Sequence, residues 1–165
     1  MLNISDLNRL LIEPSSVTLN QQTELTGLRA LVVDDCYDDR DLLATMLEIQ
    51  GIEVNAVSSA TAALPAIHQT QPDLLFCDLA MPYQDGYTLI RQVRSLEVGR
   101  SIPAIAVSAL SPEEERLNSL AAGFHAYVTK PIELQVLATT IRQLLNSRSR
   151  IQIGRSWGQG KTISA

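Results

Sequence analysis

The sequence predicts one α/β domain, a doubly wound parallel sheet of five strands with helices on both faces. Short apolar runs typical of buried strands alternate five times with longer segments whose apolar residues recur at helical spacing. The chain has 165 residues, of which 45% are apolar and 19% charged. That is enough for one globular core without disulfide or metal staples.

The five predicted strands are short and apolar, and each stops at a polar or turn residue. They cover residues 31–33, 53–57, 74–77, 102–107 and 126–128. Uninterrupted apolar runs of this length are typical of strands that are buried on both faces of a parallel sheet.

The first two helices carry signals at their ends. The first is predicted over 38–50, and Gly51 stands where a glycine ends a helix. The second is predicted over 60–69 behind Ser59, which suits an N-cap. Pro65 is unfavourable there, because it lies beyond the first turn.

Three further helices follow. A turn with Pro82 and Asp85-Gly86 precedes the third, whose apolar positions are Leu89, Ile90, Val93 and Leu96. Ser111 and Pro112 suit the N-cap and first position of the fourth, which ends at Gly123. The last is predicted over 132–145.

The charge divides the chain into three pieces. Residues 1–27 carry −2, residues 28–147 carry −7 and residues 148–165 carry +4, which sum to the net charge of −5. The first piece reads as an extension and linker with a short helix over 5–13, and the last as a basic, flexible tail. The domain is therefore predicted over 28–147.

Several classes of protein are excluded. No apolar run approaches the roughly 20 residues of a membrane span, and the N-terminus has no signal-peptide pattern. Two cysteines do not make a disulfide scaffold, so we expect a cytoplasmic protein. Four basic residues in the tail, without a helix-turn-helix pattern, argue against nucleic acid as the partner.

Polar residues collect at the ends of the predicted strands. Asp34 and Asp35 follow the first strand, Asp78 the third, Ser108 the fourth and Lys130 the fifth. Because ligands of open α/β sheets bind at the carboxyl ends of the strands, we expect these side chains to converge on one site. Three neighbouring carboxylates require a cation, and oxygen ligands favour Mg²⁺ or Mn²⁺.

At these positions the sequence resembles the receiver domains of two-component response regulators, with a CheY-like, flavodoxin-like (βα)5 fold of strand order 2-1-3-4-5. The resemblance covers about residues 28–147. It rests on four motifs in order, which are Val32-Val33-Asp34-Asp35, Asp78-Leu79-Ala80-Met81-Pro82 with Asp85-Gly86, Ser108-Ala109 and Lys130-Pro131.

The resemblance implies a role for each site residue. Asp78 is the implied phosphoacceptor. Asp34, Asp35, Asp78 and the backbone carbonyl of Ala80 are the implied Mg²⁺ ligands. Lys130 is implied to bind the phosphoryl group, and Ser108 and Tyr127 are the implied switch pair. Pro131 matches a proline that follows the lysine through a cis bond.

The implied function is phosphoryl transfer from a sensor histidine kinase or a histidine phosphotransfer protein to Asp78. The implied protein is a phosphoacceptor and not an enzyme with turnover, and its output partner is unknown. The resemblance leaves open a homodimer through the surface around the fourth helix, fifth strand and fifth helix. We expect a free regulator without an output domain.

Two alternatives remain. The chain is also compatible with the C-terminal receiver of a hybrid histidine kinase, because the lead-in Leu25 to Arg29 resembles those proteins. Phosphatases of the haloacid dehalogenase type also use a strand-end aspartate with Mg²⁺. They need a second aspartate two residues later, where this chain has Ala80, and turnover of a phosphomonoester would identify them.

Overall fold

The computed structural model describes residues 25–109 and 112–156 and contains five strands and five helices in alternation. In chain order these are β1 (Arg29–Val33), α1 (Tyr37–Ile49), β2 (Glu53–Val57), α2 (Ala60–Thr70), β3 (Leu74–Asp78), α3 (Gly86–Ser95), β4 (Ala104–Ser108), α4 (Pro112–Ala122), β5 (Ala126–Thr129) and α5 (Leu134–Ser156).

The strands form one sheet in the order β2-β1-β3-β4-β5, and every neighbouring pair is parallel. The prediction of a doubly wound five-stranded parallel sheet is confirmed. The strand order reverses between β1 and β3, so the connections after these two strands run to opposite faces of the sheet. The crevice between them at the carboxyl edge is the usual ligand position in such sheets.

Successive residues of the inner strands point to opposite faces and build two apolar clusters. Leu31 and Val33 of β1 pack with α2 and α3, whereas Ala30 and Val32 pack with α1 and α5. This two-sided burial explains why the inner strands read as continuous apolar runs and not as alternating ones.

Two helices end at the predicted glycines. Gly51 follows α1 with φ of +83°, and its N–H donates to the carbonyl of Glu48 at 2.9 Å. Gly123 follows α4 with φ of +124°. Glycine adopts this left-handed conformation without a side-chain penalty, so both predicted stops are confirmed.

Pro65 lies inside α2, in the unfavourable position noted in the sequence. Proline has no N–H to donate to the carbonyl of Thr61, and both residues lie on the exposed side of the helix. Water can satisfy that carbonyl, and Ser59 caps the helix through the N–H of Ala62 at 3.2 Å. The helix therefore continues through the proline.

The boundaries of the predicted domain differ from the structure at both ends. Leu25, which was assigned to the linker, is fully buried against α1 and α5. The helix predicted to end at Leu145 continues to Ser156; residues 146–153 contain no glycine or proline, and Gly154 lies in its last turn. Half of the predicted flexible tail is thus helical.

The predicted helix over 5–13 and the residues after Ser156 lie outside the described residues. Of the helices in the described ranges, not one combines the length and apolar content that a membrane crossing requires.

Truncation of Phe76 tests the central strand. Phe76 is fully buried in β3, so Phe76→Ala is expected to lower the free energy of unfolding by about 3–5 kcal/mol, because it leaves a cavity. Chemical denaturation measures this change. Leu117 on α4 is 62% exposed, and Leu117→Ala is the control that should stay near the wild type. Equal losses in both variants would contradict the assigned core.

Candidate functional site

The parallel register brings the predicted site residues to one edge of the sheet. Neighbours near that edge are Val33 with Cys77, Asp78 with Val107, and Ser108 with Thr129. Asp34 and Lys130 follow directly after β1 and β5. The structure therefore places Asp34, Asp78, Ser108 and Lys130 at the carboxyl ends of four adjacent strands.

Three carboxylates meet there. One oxygen each of Asp34, Asp35 and Asp78 lie within 4.8 Å of one another. Asp34 is 2% and Asp78 6% exposed, whereas Asp35 is open to solvent. Backbone amides orient the two buried groups, since the N–H of Cys36 donates to Asp34 Oδ1 at 2.9 Å and that of Ala80 to Asp78 Oδ2 at 3.2 Å.

The ammonium group of Lys130 balances part of this charge. Its Nζ lies 2.9 Å from Asp34 Oδ2, 3.3 Å from Asp78 Oδ1 and 2.7 Å from Asp39 Oδ2. Burial lowers the pKa of Lys130, but these hydrogen bonds and charges outweigh burial and hold its pKa above the ordinary value. Lys130 is therefore a permanent cation in the site.

The site nevertheless keeps an excess of negative charge. Burial raises the pKa of Asp78 above its ordinary value, Lys130 lowers it, and the charges of Asp34 and Asp35 raise it again. The net direction is upward, with burial as the largest cause. By charge count, the three carboxylates of the cluster stand beside a single ammonium group. A further cation bound by them would relieve this repulsion.

The loop after β3 is tightly fixed beneath the carboxylates. The N–H of Gly86 donates to the carbonyl of Leu79 at 3.1 Å, and Asp85 caps α3 through the N–H of Thr88 at 2.7 Å. A Cβ atom on Gly86 would lie 2.5 Å from the carbonyl oxygen of Asp78. The predicted Asp85-Gly86 turn therefore holds the main chain of Asp78 against the start of α3.

Ala80, the predicted carbonyl ligand, is exposed two residues beyond Asp78 in this loop. It belongs to the mouth of the site. The peptide bond between Lys130 and Pro131 is cis, as the sequence resemblance implies.

Ser108 and Tyr127 lie on one face of the sheet, next to the acidic cluster. Tyr127 pairs in register with Ala106, two residues before Ser108, and packs half-buried against the cluster that contains Ala106. Ser108 is fully buried at the end of β4. The two side chains are thus diagonal neighbours on adjacent strands.

Two site residues were missed by the sequence interpretation. Asp39, in the first turn of α1, is the closest partner of Lys130. Arg40 donates from Nη1 to the backbone carbonyls of Asp34 and Asp35, at 2.7 and 3.4 Å. The helix α1 starts just after the acidic pair Asp34 and Asp35, so its first turn lies at the same edge of the sheet. This position in the sequence could have indicated Asp39 and Arg40.

Comparison with known proteins assigns this fold to a class. The family model described as response regulator receiver domain matches residues 30–142. The chain belongs to this family, whose members receive signals in two-component systems. Its fold is therefore that of a receiver domain.

Individual relatives agree with this assignment. The chain is 43% identical to an uncharacterized 14.6 kDa protein of Leptolyngbya boryana over 119 residues, which are 72% of this chain and 91% of that protein. It is 30% identical to the DNA-binding dual master transcriptional regulator RpaA of Synechocystis over 74% of this chain. That alignment covers only 51% of RpaA, about half of its length.

A solved structure of a receiver domain is similar in fold. It is the receiver domain of the sensor histidine kinase PA1611 from Pseudomonas aeruginosa, described with a magnesium ion coordinated in the active site cleft. It is 28% identical with a TM-score of 0.68, and the alignment covers 73% of this chain and 99% of that one.

Removal of one buried charge tests the electrostatics of the site. Asp78→Asn is expected to raise the melting temperature in buffer without divalent cations by about 2–4 °C, the shift that about 1 kcal/mol produces at this chain length. The physical reason is the loss of a carboxylate whose charge is disfavoured first by burial and further by the charges of Asp34 and Asp35. Thermal unfolding followed by circular dichroism measures the shift.

Asp41 is an exposed carboxylate on α1, and Asp41→Asn is the matched control that should leave the melting temperature unchanged. A lower melting temperature for Asp78→Asn would mean that its pairing with Lys130 outweighs the cost of burial.

Proposed function

We propose that this chain accepts a phosphoryl group on Asp78 from a phosphohistidine of a sensor kinase or a histidine phosphotransfer protein. The observation that carries the proposal is the convergence of three carboxylates within 4.8 Å with Lys130 Nζ at 3.3 Å from Asp78. The carboxyl edge of the sheet then holds a nucleophile, a set of metal ligands and a cation for the phosphoryl oxygens.

Mg²⁺ is the proposed cofactor. The donor set fits it, because carboxylate oxygens are the ligands that Mg²⁺ prefers, and the three carboxylates of the site outnumber the one ammonium group of Lys130. Asp34, Asp35, Asp78 and the carbonyl of Ala80 would hold the ion. When bound, Mg²⁺ supplies positive charge for the oxygens of the incoming phosphoryl group.

The chemical step is a displacement at phosphorus. A carboxylate oxygen of Asp78 forms a bond to phosphorus as the P–N bond of the phosphohistidine breaks, and the electron pair of that bond remains on the imidazole nitrogen. The Lys130 ammonium, kept protonated by its carboxylate partners, pairs with the phosphoryl oxygens. The fixed main chain at Gly86 keeps the nucleophile in position.

The neighbouring pair Ser108 and Tyr127 would transmit phosphorylation of Asp78 to the surface of the domain. The hydroxyl of Ser108 would donate a hydrogen bond to the new phosphoryl group, and Tyr127 would turn into the space that Ser108 leaves. Their adjacency on β4 and β5 supports this coupling. The surface formed by α4, β5 and α5 would then change shape and be recognised by a partner protein.

A hybrid histidine kinase is the second candidate context for the chain. The similarity to the receiver domain of a sensor histidine kinase, which this chain covers almost completely, supports it. The chemistry at Asp78 is the same in both contexts, so the proposal for the site does not depend on the choice between them.

Metal binding can be measured without any phosphoryl donor. Mg²⁺ is expected to raise the melting temperature of the wild type, since a ligand at 100 times its Kd adds about 2.7 kcal/mol to stability. Asp35→Asn removes an exposed ligand and should lose at least about tenfold in Mg²⁺ affinity. Asp41→Asn should respond like the wild type, and an unchanged response of Asp35→Asn would contradict the proposed ligand set.

Phosphoryl transfer is tested with acetyl phosphate and Mg²⁺. We expect the wild type and Asp41→Asn to gain one phosphoryl group per chain in intact-protein mass spectrometry, and Asp78→Asn to gain none. The matched substitutions remove one carboxylate each, so a general loss of charge cannot explain the difference. Modification of Asp78→Asn at the wild-type level would show that another residue is the acceptor.

A further inference from the structure

The helix α1 exposes an apolar stripe that the receiver site does not use. Leu42 is 51% and Ile49 60% exposed, and Met46 lies half-buried between them. These positions are spaced by four and three residues, so they form one line along the helix. Leu43 and Leu47 form the buried, core-facing side of α1, and Met46 packs against the edge of the same core, so the stripe borders that side.

The chain enters the domain beside the end of this stripe. Leu25 is fully buried against α1 and α5, and the N–H of Gly27 donates to the carbonyl of Gly51 at 3.0 Å. Gly51 lies two residues after Ile49. The 24 residues before Leu25 therefore start from a point next to the stripe.

We propose that residues 5–13 of this chain bind the α1 stripe, which we define as Leu42, Met46 and Ile49. The occupant has the matching chemistry, since Leu7, Leu10 and Leu11 fall on one side of the helix predicted there and Arg9 falls on the other. The contact buries leucine side chains against Leu42 and Ile49.

The dimensions agree with this contact. The stripe is about 10 Å long at 1.5 Å per residue, and a helix of nine residues is about 13 Å long. Residues 14–24 form the connection, which reaches up to about 36 Å when extended. It is polar and long enough to turn back along α1.

The contact would also border the phosphorylation site. The first turn of α1 holds Asp39, which is bonded to Lys130, so a segment lying along α1 extends toward the mouth of the site. The proposal itself does not require phosphoryl transfer, and its test uses none.

Disulfide trapping in the full chain tests the contact. In a Cys36→Ser background, Ile49→Cys is combined with either Leu10→Cys or Arg9→Cys, while Cys77 stays buried. In both pairs the two cysteines are separated by nearly the same length of chain. If the segment did not dock, the two disulfides would therefore form at equal rates. We expect the pair with Leu10→Cys to form an intramolecular disulfide about tenfold faster under mild oxidation, measured on non-reducing gels.

Other outcomes would overturn the proposal. Equal rates for the two pairs would show a segment that does not dock, and disulfides formed only between chains would assign the stripe to a second copy. Faster trapping of Leu10→Cys with Leu117→Cys, on the exposed side of α4, would place the segment elsewhere. If Ile49→Cys fails to fold, Leu42→Cys replaces it in the same comparison.

A thermal measurement gives an independent readout. In the full chain, Leu10→Asp is expected to lower the melting temperature by about 2–4 °C, because it removes an apolar contact, and Arg9→Asp should leave it unchanged. Equal effects of the two substitutions would contradict the assigned side of the segment.

Discussion

The ammonium group of Lys130 joins the ends of three strands and the first turn of α1 through its side chain. Its carboxylate partners come from the end of β1, the first turn of α1 and the end of β3, all within 3.3 Å. Because Lys130 itself follows β5, this one side chain links both halves of the sheet edge. Two of its partners are almost fully buried. Loss of the cation would leave charges in the interior without compensation, which is among the most costly single changes in a folded protein.

Stability and chemistry make opposite demands at this edge. A sheet end filled with apolar side chains would pack more favourably than one that holds Asp34 and Asp78. The raised pKa of Asp78 records the cost of placing a carboxylate there. The same low exposure strengthens each electrostatic interaction that the site makes, since water screens it less. The apolar clusters on both faces of the sheet provide the stability that allows this arrangement.

The sequence predicted what depends on local pattern and on the geometry of parallel sheets. Alternating apolar runs and glycine stops located the elements, and the strand ends located Asp34, Asp78 and Lys130. The strand pattern alone does not give the rotation of a helix, so Asp39, whose side chain faces Lys130, was missed although the start of α1 just after the acidic pair placed its first turn at this edge. Leu25 was missed because a single apolar residue before a strand does not form a pattern of apolar spacing that would indicate burial. The end of α5 was missed because its apolar period stops near Leu145, although the helix continues through Gly154 to Ser156.

Gly86 has a consequence for the energetics of ligand binding. With 2.5 Å between a hypothetical Cβ and the carbonyl oxygen of Asp78, α3 leaves the main chain of that residue no space to move. The hydrogen bond from Leu79 to Val107 holds it from the other side at 3.2 Å. The conformational entropy of this segment is thus lost when the protein folds and not when a ligand binds. The carboxylate is preorganised, and a ligand needs to order only side chains.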